Sequence, residues 1–116
     1  MEQIYTPETV ETCPMTEIQP VIQGKWNMLT LYYISQGSLR FGELSRKLPM
    51  VSQANLTKTL RLLEQHGLVH REVFQVIPPR VEYSLTELGR DFLPVFDALE
   101  QFGLRYRAAR QKDKKE

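Results

Sequence analysis

The chain has 116 residues, of which 41% are apolar and 25% are charged. This length supports one hydrophobic core but not two ordinary domains, and the composition excludes a disordered or fibrous chain. The net charge of +1 argues against a uniformly basic nucleic-acid binder of the histone type. The apolar runs are short, and the first residues lack the basic and then apolar layout of a secretion signal. We therefore expect a cytoplasmic protein without a membrane segment.

The charges are distributed unevenly along the chain. Residues 1–24 contain four acidic side chains and no Lys or Arg, whereas residues 40–80 contain seven basic side chains against three acidic ones. The middle third is therefore the basic part of the chain, and this favours contact with a polyanion there. An ordinary solvated surface can carry the same modest excess, so the charge pattern alone decides little.

The first third of the chain predicts an arm followed by two helices. Residues 1–12 show no clear period and are interpreted as an N-terminal arm that is ordered only by packing on another surface. A short helix is expected after Pro14, which the first turn of a helix tolerates, and it ends at Gly24. A second helix is predicted over residues 25–36, and Gly37 ends it. The residues predicted on its buried side are Trp26, Leu29, Tyr33 and Ile34.

The middle of the chain predicts two helices joined by a tight turn. After an extended link, apolar residues recur at helical spacing over residues 41–48, and Pro49 ends this helix. Ser52 is a good N-cap for the next helix, which is expected to reach about His66, with Gly67 in the left-handed position after it. Two helices joined in this way have the outline of a helix-turn-helix.

The second helix of this pair is predicted to have two different faces. Leu56, Leu60 and Leu63 recur at steps of three and four and predict a buried side. The remaining side is polar, basic and rich in amides. Its side chains include Gln53, Thr57, Lys58 and Arg61.

A β-hairpin and a long helix complete the chain. Residues 68–76 and 81–85 are rich in Val, Tyr and Phe and are predicted as strands, with a stiff tip of sequence Ile-Pro-Pro-Arg between them. Thr86 caps a long final helix with an apolar stripe, and Pro94 is expected to kink or divide that helix. The charged tail, residues 108–116, is expected to fray.

The order of these elements predicts a mainly α (α+β) fold, the winged helix-turn-helix, with a short β-hairpin wing and a long C-terminal dimerisation helix. The domain is expected to span residues 13–107, between the N-terminal arm and the charged tail. Such a fold places one helix in the major groove of DNA, which is about 12 Å wide. The expected partner is therefore double-stranded DNA.

Seven side chains are candidate DNA contacts: Ser52, Gln53, Asn55, Thr57, Lys58, Arg61 and Arg80. The amides of Gln53 and Asn55 can pair with adenine, and the guanidinium of Arg61 can reach guanine or phosphate. The two hydroxyls and Lys58 suit phosphate oxygens. Arg80, beside the two prolines of the tip, would anchor the wing at the minor groove or the DNA backbone.

Several short motifs, taken in their order and spacing, closely resemble those of the HxlR-type winged-helix regulators. They are Cys13-Pro14, Gly24-Lys25-Trp26, residues 41–44, residues 52–64, residues 67–69 and residues 79–89. The resemblance covers about residues 13–105. It implies a homodimer, formed mainly by the first and last helices, that binds a palindromic operator. It also implies that many members respond to oxidants or electrophiles through a cysteine at the position of Cys13.

The apolar stripe of the last helix is larger than one small core requires. We therefore predict that it forms a subunit interface, although such a stripe can also complete the core of a monomer. The resemblance implies that the first helix joins this interface. The predicted interface residues are Met15, Ile18, Phe92, Phe96, Leu99 and Phe102.

Cys13 is the single cysteine of the chain and cannot form an internal disulfide. It can be an inert buried thiol, a reactive thiol, or half of a bridge between chains, and the bridge would need symmetry to bring both copies together. Backbone amides at a helix N-terminus favour the thiolate. With the resemblance, we favour a switch operated by oxidants or electrophiles. A small-molecule inducer that acts without a redox step is the alternative.

The sequence indicates no enzyme. It contains no Ser/His/Asp or Cys/His arrangement, no phosphate-binding glycine loop and no evident carboxylate pair. No cofactor or metal is expected, because Gly67 separates His66 from His70 at a helix end. The predicted function is a homodimeric, sequence-specific transcriptional regulator that acts as a repressor. A winged helix that binds another protein is the alternative.

Overall fold

The computed structural model describes residues 13–115, with side chains to residue 113. The predicted N-terminal arm and Glu116 lie outside the described residues. The elements, in chain order, are α1 (Pro14–Glu17), α2 (Gln19–Ile22), α3 (Asn27–Ser35), β1 (Leu39–Arg40), α4 (Phe41–Lys47), α5 (Gln53–Gln65), β2 (Val69–Phe74), β3 (Arg80–Leu85), α6 (Glu87–Arg90) and α7 (Leu93–Lys115).

The strands form one antiparallel sheet in the order β1-β3-β2. The hairpin pairs all six residues of β2 with β3, from Val69 opposite Leu85 to Phe74 opposite Arg80. The two residues of β1 pair with Tyr83 and Glu82 on the other side of β3. The predicted fold is confirmed: α4 and α5 form the helix-turn-helix, and the hairpin forms the wing. No helix in the described part of the chain is long and apolar enough to cross a membrane.

The core lies where α3, α4 and α5 meet the sheet. Leu56, Leu60 and Leu63 of α5 are buried as predicted. The prediction for Leu29 is wrong, because its side chain is 43% exposed. Ile34 is buried as predicted, and Leu31, which was not predicted there, is buried beside it. At 100° per residue Leu29 lies on the opposite side of the helix from these two side chains.

The helix predicted over residues 25–36 begins later, at Asn27. The buried Asn27 side chain explains this start, because its Nδ2 donates hydrogen bonds to the carbonyl oxygens of Val21, at 2.8 Å, and Pro20, at 3.2 Å. A Cβ atom at Gly24 would lie 2.4 Å from the Asn27 side chain. The chain therefore wraps closely around Asn27 before α3 begins.

The predicted first helix is divided into α1 and α2 at Ile18. Pro20 has no N–H to continue the hydrogen-bond ladder of α1, so one continuous helix cannot form there.

The final helix was predicted to be kinked or divided, and the structure shows it divided into α6 and α7. Thr86 caps α6 through its Oγ1, which accepts a hydrogen bond from the Gly89 N–H at 3.0 Å. The break lies at residues 91–92, and Pro94 falls in the first turn of α7, where a missing N–H costs little. The helix α7 continues through most of the predicted charged tail, to Lys115.

Candidate nucleic-acid interface

The N-terminus of α5 is fixed by its cap and by its apolar side. The Ser52 Oγ accepts a hydrogen bond from the Asn55 N–H at 3.1 Å, which satisfies one of the first free amides of the helix. Val51, just before the cap, is buried with Leu56 in the core. The orientation of α5 about its axis is therefore set by the core, and its other side must face solvent.

The structure places six of the seven predicted DNA contacts on α5 or its cap. Gln53, Asn55, Lys58 and Arg61 are exposed, as is Ser52, while Thr57 is partly buried. The helical period puts Lys58 and Arg61 near the centre of the exposed face. The first eleven residues of α5 include no carboxylate, so the polar groups that they present are amides, hydroxyls and cations.

A cleft of about 490 Å³ lies on the Thr57 side of α5. Arg61 lines it together with Arg71 of β2 and Tyr83 of β3, and Glu64 near the end of α5 is its one acidic side chain. A second cleft, of about 340 Å³, lies on the Asn55 side, and Lys25 and Lys58 are among its lining residues. Lys25 is held over the Trp26 ring, with its Nζ 5.0 Å from the ring centroid. Cationic side chains therefore border α5 on both sides.

Arg80 stands apart from this set. It is the first residue of β3 rather than part of the hairpin tip, and its guanidinium carbon lies 4.4 Å from the centroid of the Phe74 ring. Its Nε is 2.8 Å from the Glu82 Oε2, and its side chain is 36% exposed. The charge of Arg80 is thus already paired within the wing. The five residues that join the two strands, residues 75–79, carry no charge.

Sequence reasoning did not single out Arg71, Lys25 or Ala54. Arg71 lies two residues after buried Val69, and strand alternation puts both side chains on one face of β2. This alternation could have placed Arg71 on the same face as Val69 from the sequence alone. Ala54 is exposed in the first turn of α5, where its methyl group can contact a thymine methyl. Lys25 gave no signal, because its place beside α5 results from the turn around Asn27.

The predicted dimer residues fall into two groups. Phe92 and Phe96 are partly buried against the core, with their ring centroids 5.0 Å apart. Met15, Ile18, Leu99 and Phe102 are exposed, and Phe102 retains 63% of its accessible surface. Further large apolar side chains are exposed on α7 and elsewhere in the described chain: Leu29, Leu88, Val95, Leu104 and Tyr106.

Cys13 directly precedes α1. Its carbonyl oxygen accepts hydrogen bonds from the N–H groups of Thr16 and Glu17, both at 2.9 Å, and the residue is 9% exposed. Since α1 has only four residues, its amides provide a weaker field than a long helix would. The described residues contain no group of three or more side chains able to hold a metal ion.

The model of the HxlR-like helix-turn-helix family matches residues 21–111. The chain belongs to this family. It is a DNA-binding transcriptional regulator of the helix-turn-helix type and not an enzyme.

Individual relatives agree with this assignment. An uncharacterized HTH-type transcriptional regulator of Methanothermobacter thermautotrophicus is 49% identical over 85 residues, which are 73% of this chain and 65% of that relative. The chain therefore spans somewhat less than two thirds of that relative's length.

Two solved structures are also similar. The redox regulator HypR in its reduced form has a TM-score of 0.80 and 40% identity, over 86% of this chain and 99% of that one. The quinone-bound form of YodB from Bacillus subtilis has a TM-score of 0.70 and 31% identity, over 80% of this chain and 99% of that one.

Proposed function

We propose that the protein is a homodimeric repressor that reads a palindromic operator with α5 in the major groove. The observation that carries this proposal is the exposed face of α5, which bears amides at its N-terminal end and cationic side chains on both borders. A helix in the major groove lies between two phosphate backbones, so cations are required on both of its sides. Lys25 and Lys58 would serve one strand, and Arg61 and Arg71 the other.

The amides supply the sequence-specific part of the proposal. Gln53 and Asn55 are exposed in the first turn of α5, the part of a recognition helix that meets base edges, and each can form two hydrogen bonds with adenine. Ser52 caps the helix through an oxygen lone pair, so its hydroxyl hydrogen can still be donated to a phosphate.

The dimer is proposed from the exposed apolar side chains of α1 and α7. Met15, Leu99 and Phe102 leave an apolar surface that a monomeric protein seldom exposes. A two-fold dimer would present two α5 helices to half-sites one helical turn apart, roughly 34 Å. Bound there, it would obstruct transcription, which is why repression is the proposed mode of control.

For the control step, we propose modification of Cys13. The name of HypR describes a redox regulator, and YodB has been solved with a bound quinone. A Cys13 thiolate adds to a ring carbon of the quinone, so that one S–C bond forms while a C=C π bond of the ring opens. One quinone oxygen takes up a proton from solvent, and the hydrogen of the attacked carbon moves as a proton to the other oxygen, which leaves a hydroquinone thioether. This reaction needs no second thiol, so it suits a chain with a single cysteine. Because Cys13 is largely buried, the reaction requires local opening around α1.

The test is footprinting of the protein on its own upstream region with and without a quinone. We expect the wild type to protect two symmetric half-sites and to lose this protection after quinone treatment, whereas Cys13→Ser should keep it. A Cys13→Ser protein that releases DNA as readily would contradict the switch and leave the DNA-binding proposal intact. Treatment with diamide is a second test of the mechanism. Diamide oxidises thiols to disulfides, so its action on Cys13 requires another thiol, whereas addition to a quinone does not.

A second candidate for the control step is a small apolar ligand. A cleft of about 240 Å³ lies between the first helices and α6, lined mainly by apolar side chains that include Ile18, Leu68 and Phe92. A ligand bound there would act equally on the wild type and on Cys13→Ser, and this distinguishes it from modification of the thiol.

The alternative of a protein-binding winged helix is tested by the salt dependence of binding. Each phosphate contact lowers the slope of log affinity against log salt by about 0.9. A gel-shift series between low and moderate salt should therefore give a steep negative slope. Retention of an operator fragment without salt dependence would contradict the proposed groove contact.

A further inference from the structure

Most of α7 has no packing partner within residues 13–113, the part of the chain whose side chains the structure describes. Every residue from 97 to 113 is exposed, although the helix continues without a break to Lys115. These 17 residues make about 25 Å of helix at 1.5 Å per residue. Most of the stability of a protein helix comes from the packing of one face and not from the helix propensity of its residues. A second surface is therefore needed to stabilise this part of α7.

Gly103 lies in the middle of this exposed helix. Glycine costs up to about 1 kcal/mol relative to alanine in a helix interior. No contact within the described chain requires it, since a Cβ atom there would meet nothing within 4 Å, and its φ is not positive. The helix has a notch of about 400 Å³ at this point, lined by Gly103, Tyr106, Arg107, Arg110 and Gln111. A glycine at such a notch allows another helix to approach closely.

The side chains around Gly103 form an ordered pattern. At 100° per residue, Leu99, Gly103 and Tyr106 share one face of α7. Glu100 and Arg107 both lie on the same border of that face, seven residues apart. In the described part of the chain neither side chain forms an ion pair. Within one helix, Glu100 and Arg107 are separated by about 10 Å along the helix axis, which is too far for an ion pair.

The charges along α7 are separated into two halves. Residues 93–104 contain two acidic side chains and no Lys or Arg, whereas residues 105–113 contain four basic side chains and one acidic one. Parallel packing of two copies would bring like charges together. Antiparallel packing would bring the acidic half of each helix over the basic half of the other.

We propose that the α7 helices of two protomers cross antiparallel at Gly103, with Glu100 of each protomer paired with the partner's Arg107. This inference rests on the proposed homodimer and specifies its geometry. In an antiparallel pair centred on residue 103, Glu100 lies about 4.5 Å from the centre and Arg107 about 6 Å on the other side. The two-fold axis therefore brings each Glu100 and the partner's Arg107 to nearly the same height, on the same border of the contact.

The crossing point is tested by an engineered disulfide. In a Cys13→Ser background, Gly103→Cys would place a thiol next to the same thiol of the partner protomer. At the proposed crossing the two Cα atoms would lie within the roughly 4.4–6.8 Å that a disulfide requires. Under mild oxidation we expect nearly complete conversion to covalent dimer on a non-reducing gel. The matched control is Gln101→Cys in the same background, since residue 101 lies on the opposite face of α7 and should not cross-link.

Light scattering under reducing conditions tests the homodimer separately from the crossing at Gly103. A dimer in which Gly103→Cys does not cross-link, or cross-links no better than Gln101→Cys, overturns the crossing at Gly103 and leaves the homodimer standing. A wild-type chain that is monomeric at all concentrations overturns the homodimer itself.

The ion pair is tested by exchange of its charges. Glu100→Arg and Arg107→Glu should each raise the dimer dissociation constant by at least about tenfold. Each substitution places like charges opposite one another in both of the symmetry-related pairs. The double variant Glu100→Arg/Arg107→Glu should restore dimerisation, since the pairs are re-formed with the signs reversed. Lys112→Glu, outside the predicted contact, is the control for net charge. Failure of the double variant to recover overturns the pairing.

Discussion

The helices α5 and α7 are both amphipathic, yet their apolar sides have different surroundings. In α5 the side chains of Leu56 and Leu63 are completely buried by the protein's own core. In α7 the side chain of Leu99 is 49% exposed and that of Phe102 is 63% exposed. Helical spacing of apolar residues thus indicates that a face must be covered, but it does not tell whether the same chain or another chain covers it.

This difference separates two kinds of stability. The orientation of α5 belongs to the folded monomer, because core residues fix it before any DNA is bound. The outer part of α7 is exposed in the described chain, and under the proposed homodimer it is stabilised only by the second protomer. Substitutions in the two helices should therefore change different measurements, and three experiments sharpen this contrast.

Leu56→Ala should have the largest effect. Removal of a fully buried leucine side chain costs about 2–5 kcal/mol of the free energy of unfolding, because it removes apolar burial and leaves a cavity. Denaturant unfolding followed by circular dichroism measures this loss. Leu99→Ala is the matched control in α7. It should leave the unfolding of the dilute protein nearly unchanged and weaken self-association in light scattering. Equal losses of unfolding free energy in the two variants would contradict the contrast.

Arg61→Ala should have the next largest effect, and on operator binding rather than on folding. Loss of one guanidinium contact should weaken binding by about 1–3 kcal/mol and reduce the salt slope by about 0.9. Gel-shift titrations at several salt concentrations measure both quantities. Lys112→Ala removes a cation from α7 and should change neither. If the two variants showed the same salt slope, the assignment of the DNA-binding face to α5 would be wrong.

Ser52→Ala should have the smallest effect, a loss of about 1 kcal/mol of unfolding free energy, because the cap of α5 is removed. Ser52→Asn should keep most of the stability, since Asn is an equally good N-cap. Thermal unfolding of the two variants measures the cap, and operator binding then reports the hydroxyl itself. Equal stability of Ala and Asn at this position would show that the hydrogen bond to Asn55 contributes little.

Much of the DNA-binding part of the fold could be predicted from the sequence, because its signals are local. Ser52 caps α5 as predicted, and Gly67 has the expected left-handed conformation, with a φ of +76°. The two segments rich in Val, Tyr and Phe and the prolines between them correctly predicted the hairpin. These features depend on residues within a few positions of one another.

The errors arose where distant residues meet. The start of α3 depends on hydrogen bonds from Asn27 to carbonyl groups six and seven residues earlier, and these moved the helix boundary from the predicted Lys25. The stacking of the Arg80 guanidinium on Phe74, its cross-strand neighbour, was likewise not foreseen, while the DNA contact of Arg80 stays a prediction. Neither contact can be derived from periodicity or from residue type alone.

The pairing of Arg80 with Glu82 also changes how a binding measurement on this regulator should be interpreted. A cation that is already neutralised by a carboxylate displaces few ions when it approaches DNA. With an uncharged tip and a paired Arg80, the outer end of the wing should therefore contribute little to the release of counterions, unlike Arg71 nearer its base. The number of ions released on binding then reports how many phosphates α5 and the cations on its two sides contact. A contribution of the wing to sequence preference would be measured by comparing operator sequences at constant salt.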